Sequence, residues 1–114
     1  MTEKQQLIKN MTLEIRKGTL VLAVLSQLKQ KHYGYSLVET LNNKGLDIDQ
    51  NTLYPLLRRL EKYNILDSTW EVEDPRPRKY YKLNPMGLEL LEELAIIFED
   101  NHQSVQRLLK EDTN

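Results

Sequence analysis

Residues 51–62 read NTLYPLLRRLEK. Leu53, Leu56, Leu57 and Leu60 keep the spacing of one buried helical face. Stepped at ~100° per residue, Asn51, Tyr54, Pro55, Arg58 and Lys62 fall on the opposite arc, with Arg59 to one side and Glu61 the single acid near the edge. That outer face has the chemistry of a reader of the DNA major groove. Arginine bonds a guanine edge through two hydrogen bonds, and asparagine an adenine edge. Tyrosine and threonine (Tyr54 and Thr52 here) take phosphates, and lysine neutralises backbone charge. A solvated basic helix surface is the plainer reading of the same residues. Pro55 bears on where the helix begins, because an interior proline costs about 3 kcal/mol. Either the helix starts late, near Asn51 or Thr52, or it is kinked. Both readings put Pro55 near the N-terminal end, the end a recognition helix inserts.

Towards the N-terminus, the apolar stretch LVLAVLSQL predicts a helix over roughly residues 13–29, surrounded by other elements, with residues 1–10 polar enough to fray. Gly18 weakens that helix near its start. HYGYS breaks the pattern, and SLVETLNNKG makes a second helix that buries Leu37, Val38 and Leu41, with Gly45 as its C-terminal cap. LDID alternates like a short strand, and Asp49 or Asn51 caps the third helix.

Past Ile65 the period changes to two: Leu66, Trp70 and Val72 point one way, while Asp67, Thr69, Glu71 and Glu73 point the other. DPRP is a turn and RKYYKL a second strand, so residues 66–83 form a β-hairpin. Arg76, Arg78, Lys79 and Lys82, interleaved with Tyr80 and Tyr81, give it a basic tip suited to a phosphate backbone or minor groove. A charged tip also protects an edge hairpin from aggregation. Asn84 as cap and Pro85 at the first helical position start a last helix that runs to about Lys110. Three helices, a hairpin and a long helix make a mainly α fold: a winged helix-turn-helix over residues 1–84 and a C-terminal dimerisation helix over 85–114.

A chain of 114 residues is one domain's worth. It has no cysteine, which excludes disulfides and thiol chemistry. The longest apolar run, Leu20 to Leu25, is too short to span a bilayer, and MTEKQQLIKN lacks signal-peptide organisation, so a cytoplasmic protein with no membrane partner is expected. Net charge is −1, but residues 1–82 hold 14 Lys and Arg against 10 Asp and Glu, whereas residues 83–114 hold 2 against 7. A basic body and an acidic C-terminal segment suggest different partners, although a solvated acidic helix has the same composition.

HYGYSLVETL at 32–41, NTLYPLLRRLEKYNIL at 51–66 and RKYYKLNPMGLELL at 78–91 closely resemble the PadR family of bacterial transcriptional regulators. With the first helix, the resemblance covers about residues 15–95. It implies a winged helix-turn-helix that dimerises through its C-terminal helix and represses a nearby gene until an effector arrives. By position, Tyr33 and Tyr35 match the aromatic pair that approaches phosphates. Thr52, Leu53, Tyr54 and Pro55 match the recognition helix, and Arg78, Lys79, Tyr80 and Tyr81 match the wing. Similar proteins have glycine at the wing tip, where this chain has Asp74-Pro75-Arg76-Pro77. With one C-terminal helix, the chain resembles the short branch of the family.

Leu91, Leu94, Phe98, Asn101, Val105 and Leu108 keep a 4-3 spacing, a seam for another helix, and Leu88, Leu90, Ala95, Ile96 and Ile97 broaden it. Contiguous exposed apolar surface marks an interface, so a homodimer through this helix and the first, Leu20 included, is expected. Asn101 either fixes the register of the seam or marks its end. Two recognition helices related by a two-fold axis would read half-sites about one turn, ~34 Å, apart on double-stranded DNA. The resemblance adds a small planar aromatic effector at the interface, with Phe98 as the counterpart of the residue that stacks on it; ordinary packing is the other reading of Phe98.

No cofactor is implied. His32 and His102 are distant in sequence, and Glu99 with His102 is a lone pair rather than a metal site. No phosphate loop, HExxH or nucleophile elbow points to an enzyme. A winged helix that binds another protein instead of DNA remains the alternative, with Arg58, Arg59 and Lys62 speaking against it.

Overall fold

The structure, a computed structural model, describes residues 1–72 and 76–111. Helix α1 spans Glu3–Gln27, strand β1 His32–Tyr33, α2 Gly34–Asn43, α3 Gln50–Lys62, β2 Leu66–Glu71, β3 Arg78–Leu83 and α4 Pro85–Lys110. The chain thus has the winged-helix arrangement: three helices, a hairpin wing and a long terminal helix. The turn expected at Asp74–Pro75 lies outside the described residues.

The core lies where the C-terminal half of α1 meets the other elements. Val24, Leu25 and Leu28 pack with Leu37 and Leu41 of α2, the four leucines of α3, Ile65, Leu66, Tyr81 and Leu83 of the sheet region, and Leu91 of α4. Leu53 and Leu57 are fully enclosed, each stabilising the fold by roughly 2–3 kcal/mol relative to exposure. The Leu83 N–H donates to the Leu28 carbonyl at 2.8 Å and fastens the wing to the end of α1.

Three sequence expectations need correction. First, α1 begins at Glu3, not near Leu13, and ends at Gln27. The Thr2 hydroxyl accepts from the Gln5 N–H while the Gln5 side chain accepts from the Thr2 N–H, a reciprocal cap that ties down the end expected to fray. Second, Leu46–Asp49 is no strand. Its alternation is real, with Ile48 buried and its N–H bonded to the Asn42 side chain at 3.1 Å, but no neighbouring strand pairs with it. Third, the break at HYGYS contains a short edge strand, so the sheet has three strands in the order β1-β3-β2, with Tyr33 opposite Tyr80. Trp70 shares the strand face of Leu66, as the alternation suggests, but further along the hairpin, where it is 62% exposed; Val72, just past β2, is 74% exposed.

Other local expectations hold. Asp49 caps α3 by accepting from the Thr52 N–H at 2.9 Å. Gly45 takes the left-handed φ of 94° that a cap glycine supplies at little cost. Asn84 caps α4 by accepting from the Gly87 N–H at 2.8 Å. Its amide also donates to the carbonyl of Asn64, which sits at a φ of 61°, and so joins the start of α4 to the turn before β2.

Candidate nucleic-acid interface

Because its four leucines face inward, α3 turns Asn51, Thr52, Pro55, Arg58, Arg59 and Lys62 to solvent. The helix starts at Gln50, one residue ahead of the late start that would have eased Pro55, so the proline lies in the helix beyond its first turn. Its missing N–H leaves the Asn51 carbonyl without its usual partner four residues on, on the exposed side where water can serve it. Arg59 and Lys62 occupy the last turn, where cations suit the helix dipole.

Tyr54 departs from the outer face that its spacing suggested. It is half-buried, its ring laid against the first residue of α2. A Cβ on Gly34 would overlap that ring, with Tyr54 Cε1 only 2.6 Å away. Glycine at position 34 therefore lets α3 and the start of α2 approach each other. The signal was present in HYGYS, a glycine between two tyrosines, but its partner lies 20 residues on.

On the outer face of the sheet, aromatic rings and cations alternate. Tyr33 stacks on Tyr35 at 6.4 Å between centroids and meets Tyr80 edge-on at 5.6 Å. The Arg78 guanidinium lies 4.8 Å from the Tyr33 ring centre, and the Lys31 ammonium 4.5 Å from that of Tyr80. Lys31 also pairs with Glu71. The sequence reading missed Lys31, which precedes the aromatic motif by one residue. No side chain caps the start of α2, which therefore carries the uncompensated positive end of a helix dipole next to Tyr33. Tyr33, Gly34, Tyr54, Trp70, Arg78 and Lys79 line a cleft of about 300 Å³ between α2, α3 and the wing.

The predicted cations are not equivalent. Among the described residues, no ion pair engages Arg58, Arg59, Lys62, Arg76 or Lys82. Lys79 instead points inward, where its ammonium meets the Glu61 carboxylate at 3.0 Å. Burial holds the Tyr81 phenol above its ordinary value; the Glu61 and Tyr54 charges raise it further and the Arg58 charge partly offsets them. His32, bonded to the Ser36 hydroxyl at 3.2 Å, is held below the usual histidine value by burial and then by the Lys44 charge.

The residues expected at a dimer seam also separate. Leu91 is buried in the chain's own core, and Leu20 and Leu94 pack against that core, so these three are largely used within one chain. Phe98 is 39% exposed. Ile96, Ile97, Val105, Leu108 and Leu109 on α4, with Leu7, Ile8, Met11 and Ile15 on α1, are exposed as well. Ile15, Leu22, Leu94, Ile97, Phe98 and Asn101 line a groove of about 350 Å³ between the two helices, and Phe98 stacks on His102. A second cleft, about 450 Å³, lies between α1 and the segment leading into α3. Among the described residues, no three His, Asp or Glu gather as metal ligands, and no helix is long and apolar enough to cross a membrane.

The sequence model of the transcriptional regulator PadR-like family matches residues 21–93, which span α1 from Val21 through the first turns of α4. The chain belongs to the PadR-like family. It is 42% identical to a PadR family transcriptional regulator from Eggerthella lenta, whose crystal structure superposes with a TM-score of 0.90 over 96% of this chain and 97% of that one. A PadR-like transcriptional regulator from Bacillus cereus is 30% identical, with a TM-score of 0.76 over 87% of this chain and 99% of the other. A transcriptional regulator of Mycobacterium tuberculosis is 38% identical over 81 residues, 70% of this chain and 76% of that protein. PadR-like proteins are DNA-binding transcriptional regulators rather than enzymes, so DNA is the macromolecule to set against the face built by α2, α3 and the wing.

Proposed function

We propose that this PadR-like chain is a homodimeric repressor that binds a pseudo-palindromic operator near its own gene. The observation that carries the reading is the outer face of α3: six exposed residues, three of them cations without an ion pair among the described residues, on a helix whose opposite face is sealed by leucines. Asn51, Thr52, Arg58 and Arg59 read base edges and nearby phosphates, and Lys62 neutralises backbone charge. Tyr33, Tyr35, Arg76, Arg78 and Tyr80 follow the phosphates that flank the groove. On this reading residues 1–84 are the DNA-binding unit, and the segment 85–114, which contains α4, is the dimerisation unit.

Dimerisation is supported by the exposed apolar stripes of α1 and α4, which one chain leaves in water. A second copy covers both stripes through Phe98, Val105 and Leu108. Asn101, at the rim of the groove, sets the register. The groove beside Phe98 is wide enough for a small planar aromatic effector, and a bound compound there would change the distance between the two recognition helices.

The test is a titration of the DNA upstream of the protein's own gene, beside unrelated DNA of equal length, at several salt concentrations. The reading expects preference for the upstream DNA, saturation at two chains per site, and loss of that preference on Arg58→Ala. Each phosphate contact should add about 0.9 to the slope of log affinity against log salt. Absence of binding to either DNA at low salt would leave a protein-binding winged helix as the better account.

A further inference from the structure

Glu61 is the only acid on α3. By simple electrostatics it is misplaced twice, near the negative end of the helix dipole and on an element meant for polyanionic DNA. Its contacts account for it. One carboxylate oxygen accepts from Lys79 Nζ on β3 at 3.1 Å, while the other lies 3.0 Å from the same ammonium and accepts from the Ser68 hydroxyl on β2 at 3.1 Å. A single side chain thus holds both strands of the wing to the recognition helix. The pair is largely sheltered, with side chains 24% and 29% exposed. Lys79 also lies 5.5 Å from the Tyr81 ring centre and 6.0 Å from that of Trp70, its cross-strand partner.

We propose that Glu61 is a positioning residue: with Lys79 and Ser68 it fixes the angle between α3 and the wing, so an acid on the DNA-facing helix strengthens DNA binding. Lys79, although basic and on the wing, acts as a strut rather than as a phosphate contact. The inference rests on the DNA-binding reading of the preceding subsection. Held by the strut, Arg76 and Arg78 meet the backbone while α3 occupies the groove; released, the wing swings as an independent hairpin and its contacts pay an ordering cost on binding.

The two views of Glu61 predict opposite signs. If the carboxylate only repels phosphates, Glu61→Gln tightens binding and leaves the salt slope unchanged, while Lys79→Gln weakens binding and lowers the slope by about one contact, ~0.9. If it is a strut, Glu61→Gln weakens binding about five- to tenfold. The slope then falls although no cation has been removed, because wing contacts are lost. Lys79→Gln does no more than Glu61→Gln, the double variant is no worse than either, and the exchange Glu61→Lys with Lys79→Glu recovers most of the affinity.

Trp70, the only tryptophan, reports the strut without DNA. Its emission should shift in Glu61→Gln and return in the exchange variant, with the melting temperature of each variant measured alongside. Tighter binding by Glu61→Gln, or additive losses in the double variant, overturns the proposal. If the wild-type protein binds no DNA, the functional reading fails on its own. The strut is then judged by Trp70 alone, and unchanged emission in Glu61→Gln overturns it.

Discussion

Replacing Gly34 by alanine should destabilise this protein, against the usual direction of such a change. At a helical position with ordinary backbone angles, Gly→Ala normally stabilises by about 0.5–1 kcal/mol, because glycine loses more backbone freedom on folding. Gly34 is the first residue of α2 and does not take a left-handed φ, so the backbone would accept alanine. The obstacle is the Tyr54 ring. An added Cβ lies 2.6 Å from Cε1, about 1 Å inside ordinary carbon–carbon contact. Either the ring leaves its half-buried seat or α2 shifts away from α3, and overpacking of this kind costs about 1–3 kcal/mol. The net expectation is a loss of about 1–2 kcal/mol. The assay is a double-mutant cycle by thermal or urea unfolding with Gly34→Ala, Tyr54→Ala and both. Once the ring is gone, the alanine should become neutral or stabilising, with a coupling of about 1–3 kcal/mol. A Gly34→Ala variant at least as stable as wild type, or an equal cost with and without the ring, would refute the packing account of how α2 and α3 are set.

Gly87→Ala should cost about 3 kcal/mol in a urea titration, since the new Cβ meets the Ile65 carbonyl, which is fixed backbone, and lies 2.9 Å from Leu83 Cδ2; a cost below half that would mean α4 is free to retreat from the sheet. Because His32 is held below its unfolded value, the unfolded chain takes up the proton first as pH falls. Its contribution to stability is full above the unfolded value near 6.5 and is lost on acidification from there towards the folded one, so His32→Gln should flatten the pH dependence of unfolding as pH falls below about 6.5. Ile97→Glu with Leu108→Glu should convert a sedimenting dimer into monomer and remove the concentration dependence of its melting temperature; a wild-type chain that is monomeric at micromolar concentration contradicts the α1–α4 interface.

The parts of the fold that sequence revealed are those whose signal is local. The leucine spacing of α3, the Asp49 and Asn84 caps, Gly45 and the change of period at Leu66 each sit within a few residues of what they control. The helical arm at the start of α1 is legible too, because Thr2 and Gln5 have the spacing of a capping box, although their polar surroundings by themselves suggest fraying. Strand β1 was not legible: two residues carry no period, and their pairing is supplied by β3, nearly 50 residues away. The site shows the same division. The outward face of α3 follows from helical geometry, whereas the seating of Tyr54 on Gly34, the inward turn of Lys79 to Glu61 and the use of Leu91 in the chain's own core depend on contacts between distant elements.

The central claim is that two copies of α3, related by a two-fold axis, read one operator. Hydroxyl-radical footprinting of the full chain on the DNA upstream of its gene, beside the Arg58→Ala variant at matched concentration, tests it most directly. The account predicts two protected segments about one helical turn, ~34 Å, apart, symmetric about a dyad, with flanking protection from the wings and loss of the whole pattern in the variant. A single unsymmetrical segment, or a footprint that survives Arg58→Ala unchanged, would contradict it.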